Sequence, residues 1–496
     1  MKIAFITPEL QSLVRRTQLA EIAEQLPRTL RQLGTDARVF LPFFSDIDAD
    51  ALTELSQVGH VEVDDDKSRV KLTVHAAKLG ELPIYLIDHP DLFRSRHPYG
   101  DNSGPYTDNW RRYAIFSRAV LEAMEVVGFK PEIMHCLDWT AGLVPLIQEL
   151  EYVGKNHAAS RAGTYLAIHN LAMQGSFERE VLPKINIPHR YFRANEGLEH
   201  AGKVNFLKAG AEFATIVGTH SPSQVDRMQE LDGGNGLEET FRRRKKELVG
   251  LLNGIDYRAW DPSQDPLLAQ NYSAGDKELN GKKKCKAALQ AGLKLDNGPR
   301  TPLVTIIGRF DSDSGFDVLA EALTPMLERN IELVLMGPGQ VEILDRLRTV
   351  EQTFTGRCRL IDAYHVNTAH TLLGGADLLL LPGHFHSSNA LCAIAMRYGV
   401  VPVVYAKSGL EDTVSDYQTG GNEGAGFLFQ NYTSDSLLEG IDEARAVYKK
   451  AGDWKELVNR CLNQDFSWQE SARNYLKAYR RVTRRTKERR SRGSRA

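Results

Sequence analysis

Cysteine is scarce and scattered in this chain. Its 496 residues include five, Cys136, Cys285, Cys358, Cys392 and Cys461. The number is odd and no CxxC pair occurs, which argues against a disulfide framework or a cysteine zinc site and fits reduced thiols. Long apolar runs are lacking too: none approaches the roughly 18 residues of a membrane-spanning helix. The N-terminus shows no basic stretch followed by an apolar one, so no signal peptide is expected. Charge of one sign is absent, with a formal net charge of −2, so the whole chain has no electrostatic bias toward nucleic acid or membrane. One further absence is local. The stretch "KIAFIT" reads as a first β-strand, and an α/β chain commonly places glycines after it, where backbone amides approach a phosphate. Here the loop offers Arg15, Arg16, Thr17 and Gln18.

What is present is ordinary for a globular protein. Hydrophobic residues make up 42% and charged residues 25%, and the length suggests two or more domains. After the first strand, Leu19, Ile22, Leu26, Leu30 and Leu33 recur at helical spacing, Pro27 is expected to kink the helix, and Gly34 to stop it. "ARVFLP", "LPIYLID", "EIMHCLDW" and "TYLAIHN" read as further strands, with a helix around "YAIFSRAVLEAMEVVG". The polar, turn-rich "DPSQDPLLAQNYSAGDKELNGKKK" precedes a second series of strands, "TPLVTIIGRF", "IELVLMGPG", "CRLIDAY", "ADLLLLPG" and "VVPVVYA". Two αβ series in succession predict two doubly wound domains, each on a mostly parallel sheet that takes ligands at its C-terminal strand ends.

The end of the chain reads differently. Phe466, Trp468, Ala472, Tyr475 and Tyr479 recur at roughly helical spacing. From Arg480 onward Arg480, Arg481, Arg484, Arg485, Lys487 and Arg489 are among nine basic residues facing only Glu488, with almost nothing apolar after Val482. That composition predicts a disordered basic tail, free to contact a polyanion.

The stretches "HCLDWTAGL", "IHNLAMQGSF", "NFLKAGAEFAT", "THSPS", "LLNGIDYRAWDPSQDP", "LLGGADLLLLP", "MRYGVVPVV" and "GLEDTVSD" follow one another over nearly the whole chain. In sequence and order they resemble the bacterial glycogen synthases and plant starch synthases, which are ADP-glucose-dependent retaining glycosyltransferases. The resemblance implies a GT-B fold: α/β, with two Rossmann-like domains facing an interdomain cleft. It implies an N-terminal, acceptor-side domain over 1–257, a nucleotide-sugar-side domain over 258–462 and a helix over 463–480 crossing back to the first domain, and the basic tail read as disordered from its composition covers 481–496. It also implies cytoplasmic location, or the plastid stroma after removal of a transit peptide in a plant or alga.

The resemblance breaks at several places. The family has K-T-G-G-L where this chain has R-R-T-Q-L, so Arg15 replaces a lysine, and Thr17 and Gln18 replace the two glycines. In "GRFDSDSGFD", Arg309 matches the family's arginine, but Ser314 stands in place of the lysine that helps hold the leaving diphosphate. In "HFHSSNAL", His386 replaces the glutamate that orients the transferred glucose, and Ser387, Ser388, Asn389 and Ala390 replace P-C-G-L. Leu137 and Thr140 replace two histidines, while His135, Asp138 and Trp139 remain. Lys407 and Ser408 replace Thr-Gly. The retained positions implied to matter are His169 and Asn170 at the sugar, Tyr364 near the base, and Lys208, Asn253, Gly254 and Asp256 near the domain junction.

These departures point to a pseudoenzyme, catalytically inactive or strongly impaired, that binds α-glucan or a partner such as an active synthase and modulates polysaccharide synthesis. The alternatives are an active transferase with a rewired donor site, using ADP-glucose or another nucleotide sugar, and a polyanion-binding protein acting through its tail. No cofactor or metal is expected. His384 and His386, with His365 and His370 nearby in sequence, lack accompanying carboxylate or cysteine ligands. No membrane contact is expected, and nucleic acid only through the tail.

Overall fold

The computed structural model describes the whole chain except Lys277, Asn297, Pro299, Ser312, Asp313, Phe385, Ser387, Gly420 and residues 494–496, and except the side chains of Asn422, Arg492 and Gly493. The chain divides into two compact units. One comprises Met1–Leu251 and the segment from Trp468 onward; the other is Leu252–Ser467.

The first unit is built on a nine-stranded sheet. Its strands are β1 (Lys2–Ile6), β2 (Asp36–Pro42), β3 (Thr53–Asp65), β4 (Ser68–Leu79), β5 (Leu82–Asp88), β6 (Ile133–Leu137), β7 (Gly163–Ile168), β8 (Ile216–Thr219) and β9 (Leu248–Gly250). They lie in the order β9-β8-β7-β6-β1-β2-β5-β4-β3. Ile3, Ala4, Phe5 and Ile6 are all fully buried, the unbroken apolar run of a parallel strand covered on both faces. Helix α1 (Leu19–Gln32) follows β1 and turns Leu19, Ile22, Leu26 and Leu30 into the core. It carries Pro27 inside its span and ends at Gly34, whose φ of +84° suits glycine.

The sheet is not parallel throughout. β3 and β4 form a long antiparallel hairpin, and β4 runs antiparallel to β5. The hairpin lies outside the strands expected from the apolar runs, although "VEVDDDKSRVKLTV" alternates polar and apolar residues around a charged turn.

The last helix, α2 (Trp468–Gly493), corrects the expectation of a disordered tail. It packs on the first unit and continues well beyond Arg481. Tyr475, Tyr479 and Val482 are buried, and the Tyr479 hydroxyl lies 2.6 Å from His135 Nδ1. Beyond the last apolar residue the helix is held by polar contacts. Arg485 pairs with Glu247 and donates to the Lys246 carbonyl at 2.9 Å, and Arg490 donates to the Ser160 carbonyl at 3.0 Å. Gly163 makes room for it: a Cβ there would stand 2.4 Å from Thr486 Oγ1 and 2.6 Å from Val482 Cγ1. Composition predicted disorder because it counts apolar residues and cannot see acceptor carbonyls on a neighbouring surface.

The second unit carries a six-stranded, wholly parallel sheet. Its strands are β10 (Leu303–Ile307), β11 (Glu332–Met336), β12 (Cys358–Ile361), β13 (Leu378–Leu381), β14 (Val401–Tyr405) and β15 (Phe427–Phe429), in the order β12-β11-β10-β13-β14-β15. Strand order reverses direction between β10 and β13, as it does between β1 and β6 in the first unit. Loops leaving the C-terminal ends of such strand pairs diverge and leave a crevice for ligands.

Candidate functional site

Three neighbouring strand ends of the first unit carry its predicted site residues. After β1 the chain runs through Glu9, whose carboxylate is fully buried. Glu9 Oε2 accepts from the backbone N–H groups of Arg16 at 2.7 Å and Thr17 at 2.8 Å. Its Oε1 accepts from the Thr17 hydroxyl at 2.9 Å and the Tyr99 hydroxyl at 2.6 Å. Thr17 Oγ1 also accepts from the N–H of Leu19 at 3.2 Å, tying the loop to the start of α1. The loop is thus folded onto an internal carboxylate. Arg15 is exposed, and Arg16 reaches Asp46 Oδ2 at 2.5 Å. Glu9 and Tyr99 were missed in the sequence, where 90 residues separate the two bonded partners.

Asp138 follows β6 with φ of +52°, an unusual backbone for a side chain other than glycine. Its Oδ1 accepts from the N–H of His169 at 2.8 Å and of Asn170 at 3.4 Å, at the end of the adjacent strand β7. Burial pushes the Asp138 carboxyl up to about 7, against the backbone N–H groups that lower it. Burial drives the His169 imidazole down to about 3, so it is neutral, and its Nε2 has no hydrogen-bond partner among the described residues. Asn170 is exposed and its Oδ1 accepts from Ala172 N–H at 3.0 Å. Asp138 therefore fixes the backbone that presents His169 and Asn170. His135 is a core group instead, stacked on Phe5 at 4.7 Å. Lys208 is also buried and donates to the carbonyls of Ala194, at 2.6 Å, and Glu199.

In the second unit, Arg309 and Ser314 follow β10. The Arg309 side chain is 72% exposed, with Nε 3.0 Å from Asp311 Oδ2. The Ser314 hydroxyl donates to Asp311 Oδ1 at 2.6 Å, and the Ser314 N–H reaches the same oxygen at 3.1 Å. Gly315 then turns the chain with φ of +82°, where a Cβ would sit 2.5 Å from the carbonyl carbon of Pro382, just after β13. The two strand-end loops thus touch. His386, on the loop after β13, donates its backbone N–H to the Ser408 carbonyl at 2.8 Å. Burial lowers its imidazole to about 4, and Nε2 is shielded without a partner among the described residues.

Other predicted residues are spread out. Tyr364 is 52% exposed beyond β12, two strands from β10. His370 bonds Asp265 at 2.7 Å and stacks on Trp260 at 3.9 Å, whereas His384 packs against Tyr432 at 4.9 Å. Among the described residues no group of three or more His, Cys, Asp or Glu is placed to hold a metal, and no helix is long and apolar enough to cross a membrane. Ser387, one of the positions singled out from the sequence, lies outside the described residues.

Both units have the architecture of the GT-B glycosyltransferases, and solved structures bear this out. The catalytic domain of starch synthase IV from Arabidopsis thaliana, bound to ADP and acarbose, is similar with a TM-score of 0.82 and 29% identity, covering 97% of this chain and 99% of that one. Sucrose-phosphate synthase from Thermosynechococcus elongatus shares the fold, with a TM-score of 0.57 and 16% identity over 97% of this chain and 98% of its own. The starch synthase catalytic domain family matches residues 2–243, and glycosyl transferases group 1 matches residues 301–445. A glycogen synthase of Geotalea uraniireducens (strain Rf4) is 35% identical over 480 residues, 97% of this chain and 98% of that protein. One from Anaeromyxobacter dehalogenans (strain 2CP-1 / ATCC BAA-258) is 35% identical over 483 residues, 97% and 99% of the two chains. The chain belongs to the glycogen synthase and starch synthase family.

Proposed function

We propose that this family member transfers glucose poorly or not at all, and that it binds α-glucan or a partner synthase and thereby modulates polysaccharide synthesis. The observation that carries this reading is the charge at the end of β10. Arg309 is in contact with the carboxylate of Asp311, and the residue five positions on is a serine whose hydroxyl is directed to that same carboxylate. Where the family resemblance calls for two cations around a departing diphosphate, this segment offers a cation and an anion in contact. Fixed positive charge at a leaving group lowers the barrier directly, and losing one such group costs on the order of 10²–10³ in rate. The neutral, half-buried imidazole of His386 gives further support, because it supplies no anionic acceptor for a sugar hydroxyl.

A second reading has one observation in its favour. The Arg309 side chain is 72% exposed and could turn from Asp311 to a phosphate, so an active transferase with a rewired donor site is the alternative. ADP-glucose and glycogen supplied to the purified protein separate the two. Release of ADP at background level is expected. Glucan-dependent turnover at about 1 s⁻¹ or more, an ordinary enzyme rate, gives the active reading the lead.

A further inference from the structure

A cavity of about 830 Å³ opens in the second unit at the end of the sheet opposite Arg309. Asp377, which immediately precedes β13, lines it, and the Asp377 carboxylate accepts from the N–H of Leu303 at 2.8 Å, at the first residue of β10. The cavity therefore lies at the N-terminal strand ends. The loops of Arg309, Ser314 and His386 leave the opposite, C-terminal ends of those two strands, so the cavity takes no part in the site described above.

Its lining is strongly basic. Lys282, Lys283, Lys286, Arg300, Lys449 and Lys455 face two acids, Glu278 and Asp377. Both acids are already paired, Asp377 with Lys286 at 2.5 Å and Glu278 with Lys455 at 2.9 Å. Lys286 is fully used: its Nζ also donates to the Thr301 carbonyl at 2.6 Å and the Tyr448 hydroxyl at 2.9 Å. The other four cations have no ion pair with an acid among the described residues. Lys283, Arg300 and Lys449 are exposed, and solvation explains them. Lys282 is different. It is 6% exposed and its ammonium donates to the Tyr398 carbonyl at 2.9 Å. An ammonium has three donors, and this one has the Tyr272 ring 5.6 Å away and the charge of Asp377 nearby, but that carboxylate is already paired with Lys286. Burial pulls its value down to about 8, so it still carries charge at neutral pH.

The remaining wall is apolar. Trp454 and Tyr448 meet edge to face at 4.9 Å, beside Leu279 and Val458. A pocket of this size, with an apolar wall and a few convergent charges, has the dimensions and chemistry of a small-molecule site. We infer that this cavity binds a small phosphate monoester, with its phosphate between Lys282 and the exposed cations at the mouth and its ring-bearing body against Trp454 and Tyr448. The body could be a sugar or a nucleoside, and the phosphate chemistry is common to both.

The test uses the full chain and three probes, glucose 1-phosphate, AMP and inorganic phosphate, titrated by calorimetry. One of the two esters is expected to bind with a dissociation constant below about 1 mM and at least tenfold more tightly than inorganic phosphate; whichever ester it is identifies the body. Lys282→Met should weaken that binding at least tenfold. Because a buried substitution can disturb folding, the exposed pair Arg300→Ser with Lys449→Ser is tested alongside and should also weaken it. Arg309→Ala should leave it unchanged, which separates this site from the opposite end of the sheet. Binding by neither ester, equal affinity for inorganic phosphate, or loss in Arg309→Ala with retention in both cavity variants would overturn the proposal.

Discussion

His386 illustrates what one side chain does to the charge at a strand end. Its folded-state value, about 4, lies below the ordinary 6.5 because burial disfavours the imidazolium. Between those two values the unfolded chain holds the proton and the folded chain does not, so stability rises with pH across this window and falls as the pH drops from 6.5 toward 4. Above 6.5 the group costs nothing. His386→Gln keeps a hydrogen-bonding side chain without a titrating ring. The wild type should therefore lose about 1–2 kcal/mol more than the variant between about pH 7.5 and pH 5, measured by denaturant unfolding at both. His169, lowered to about 3, acts in the same direction, but it is present in both proteins and cancels from the difference. Equal losses would mean that the imidazole is solvated when folded. Asp138 works in the opposite sense: its carboxyl is raised to about 7, so its contribution is lost as pH rises from the ordinary carboxylate range through 7.

At the scale of elements, the C-terminal helix is the clearest case of structure built on contacts that composition does not reveal. Val482 is fully buried, and burying a valine side chain stabilises by about 1.5–3 kcal/mol. Removing the chain from Arg481 onward should therefore lower the melting temperature by about 3–12 °C. A shift under about 1 °C would mean that this segment is not docked. Gly163→Ala tests the same contact from the other side, since its Cβ would collide with Val482 and Thr486. It should destabilise the full chain more than the truncated one. The central parallel strands of both units were legible because apolar runs are local signals, while the β3–β4 hairpin and the short strands β8, β9 and β15 were not. The helix beyond Val482 was not, because arginine-to-carbonyl bonds and a facing glycine are visible only once the partner surface is known. The same division holds at the site. The loop after β1 could be picked out from the residue types that follow a first strand, whereas those after β6, β7, β10 and β13 stood out only against the pattern of the family that the chain resembles. The part played by Glu9 could not, since it depends on the loop folding back over seven or eight residues and on Tyr99 arriving from far along the chain.

Across the whole molecule, most positions where the chain departs from the pattern of the resemblance fall on separate loops of both units, while the sheets beneath them keep the family's architecture. If the proposed loss of transfer stems from those loops, restoring them should recover donor binding without refolding anything. Ser314→Lys with His386→Glu supplies a second cation beside Arg309 and a carboxylate on the loop after β13. Thr17→Gly with Gln18→Gly restores the two glycines of the family pattern in the loop after β1, where both side chains are exposed. That second pair has a cost, because the Thr17 hydroxyl bonds Glu9 and the N–H of Leu19, and losing such bonds destabilises by about 1 kcal/mol each. The pair in the second unit is therefore tested first and the four changes together afterward. One recovered charge-assisted contact is worth about 1.5–3 kcal/mol, so ADP should bind roughly ten- to a hundredfold more tightly to the Ser314→Lys, His386→Glu variant than to the natural protein. Calorimetry reads this directly, and it does not require turnover, which Thr140 and Ser408 could still block. Should the natural protein bind ADP tightly and the variant bind it less well, the residues now present would themselves form a working donor site, and the impaired-transferase reading would give way to the active one.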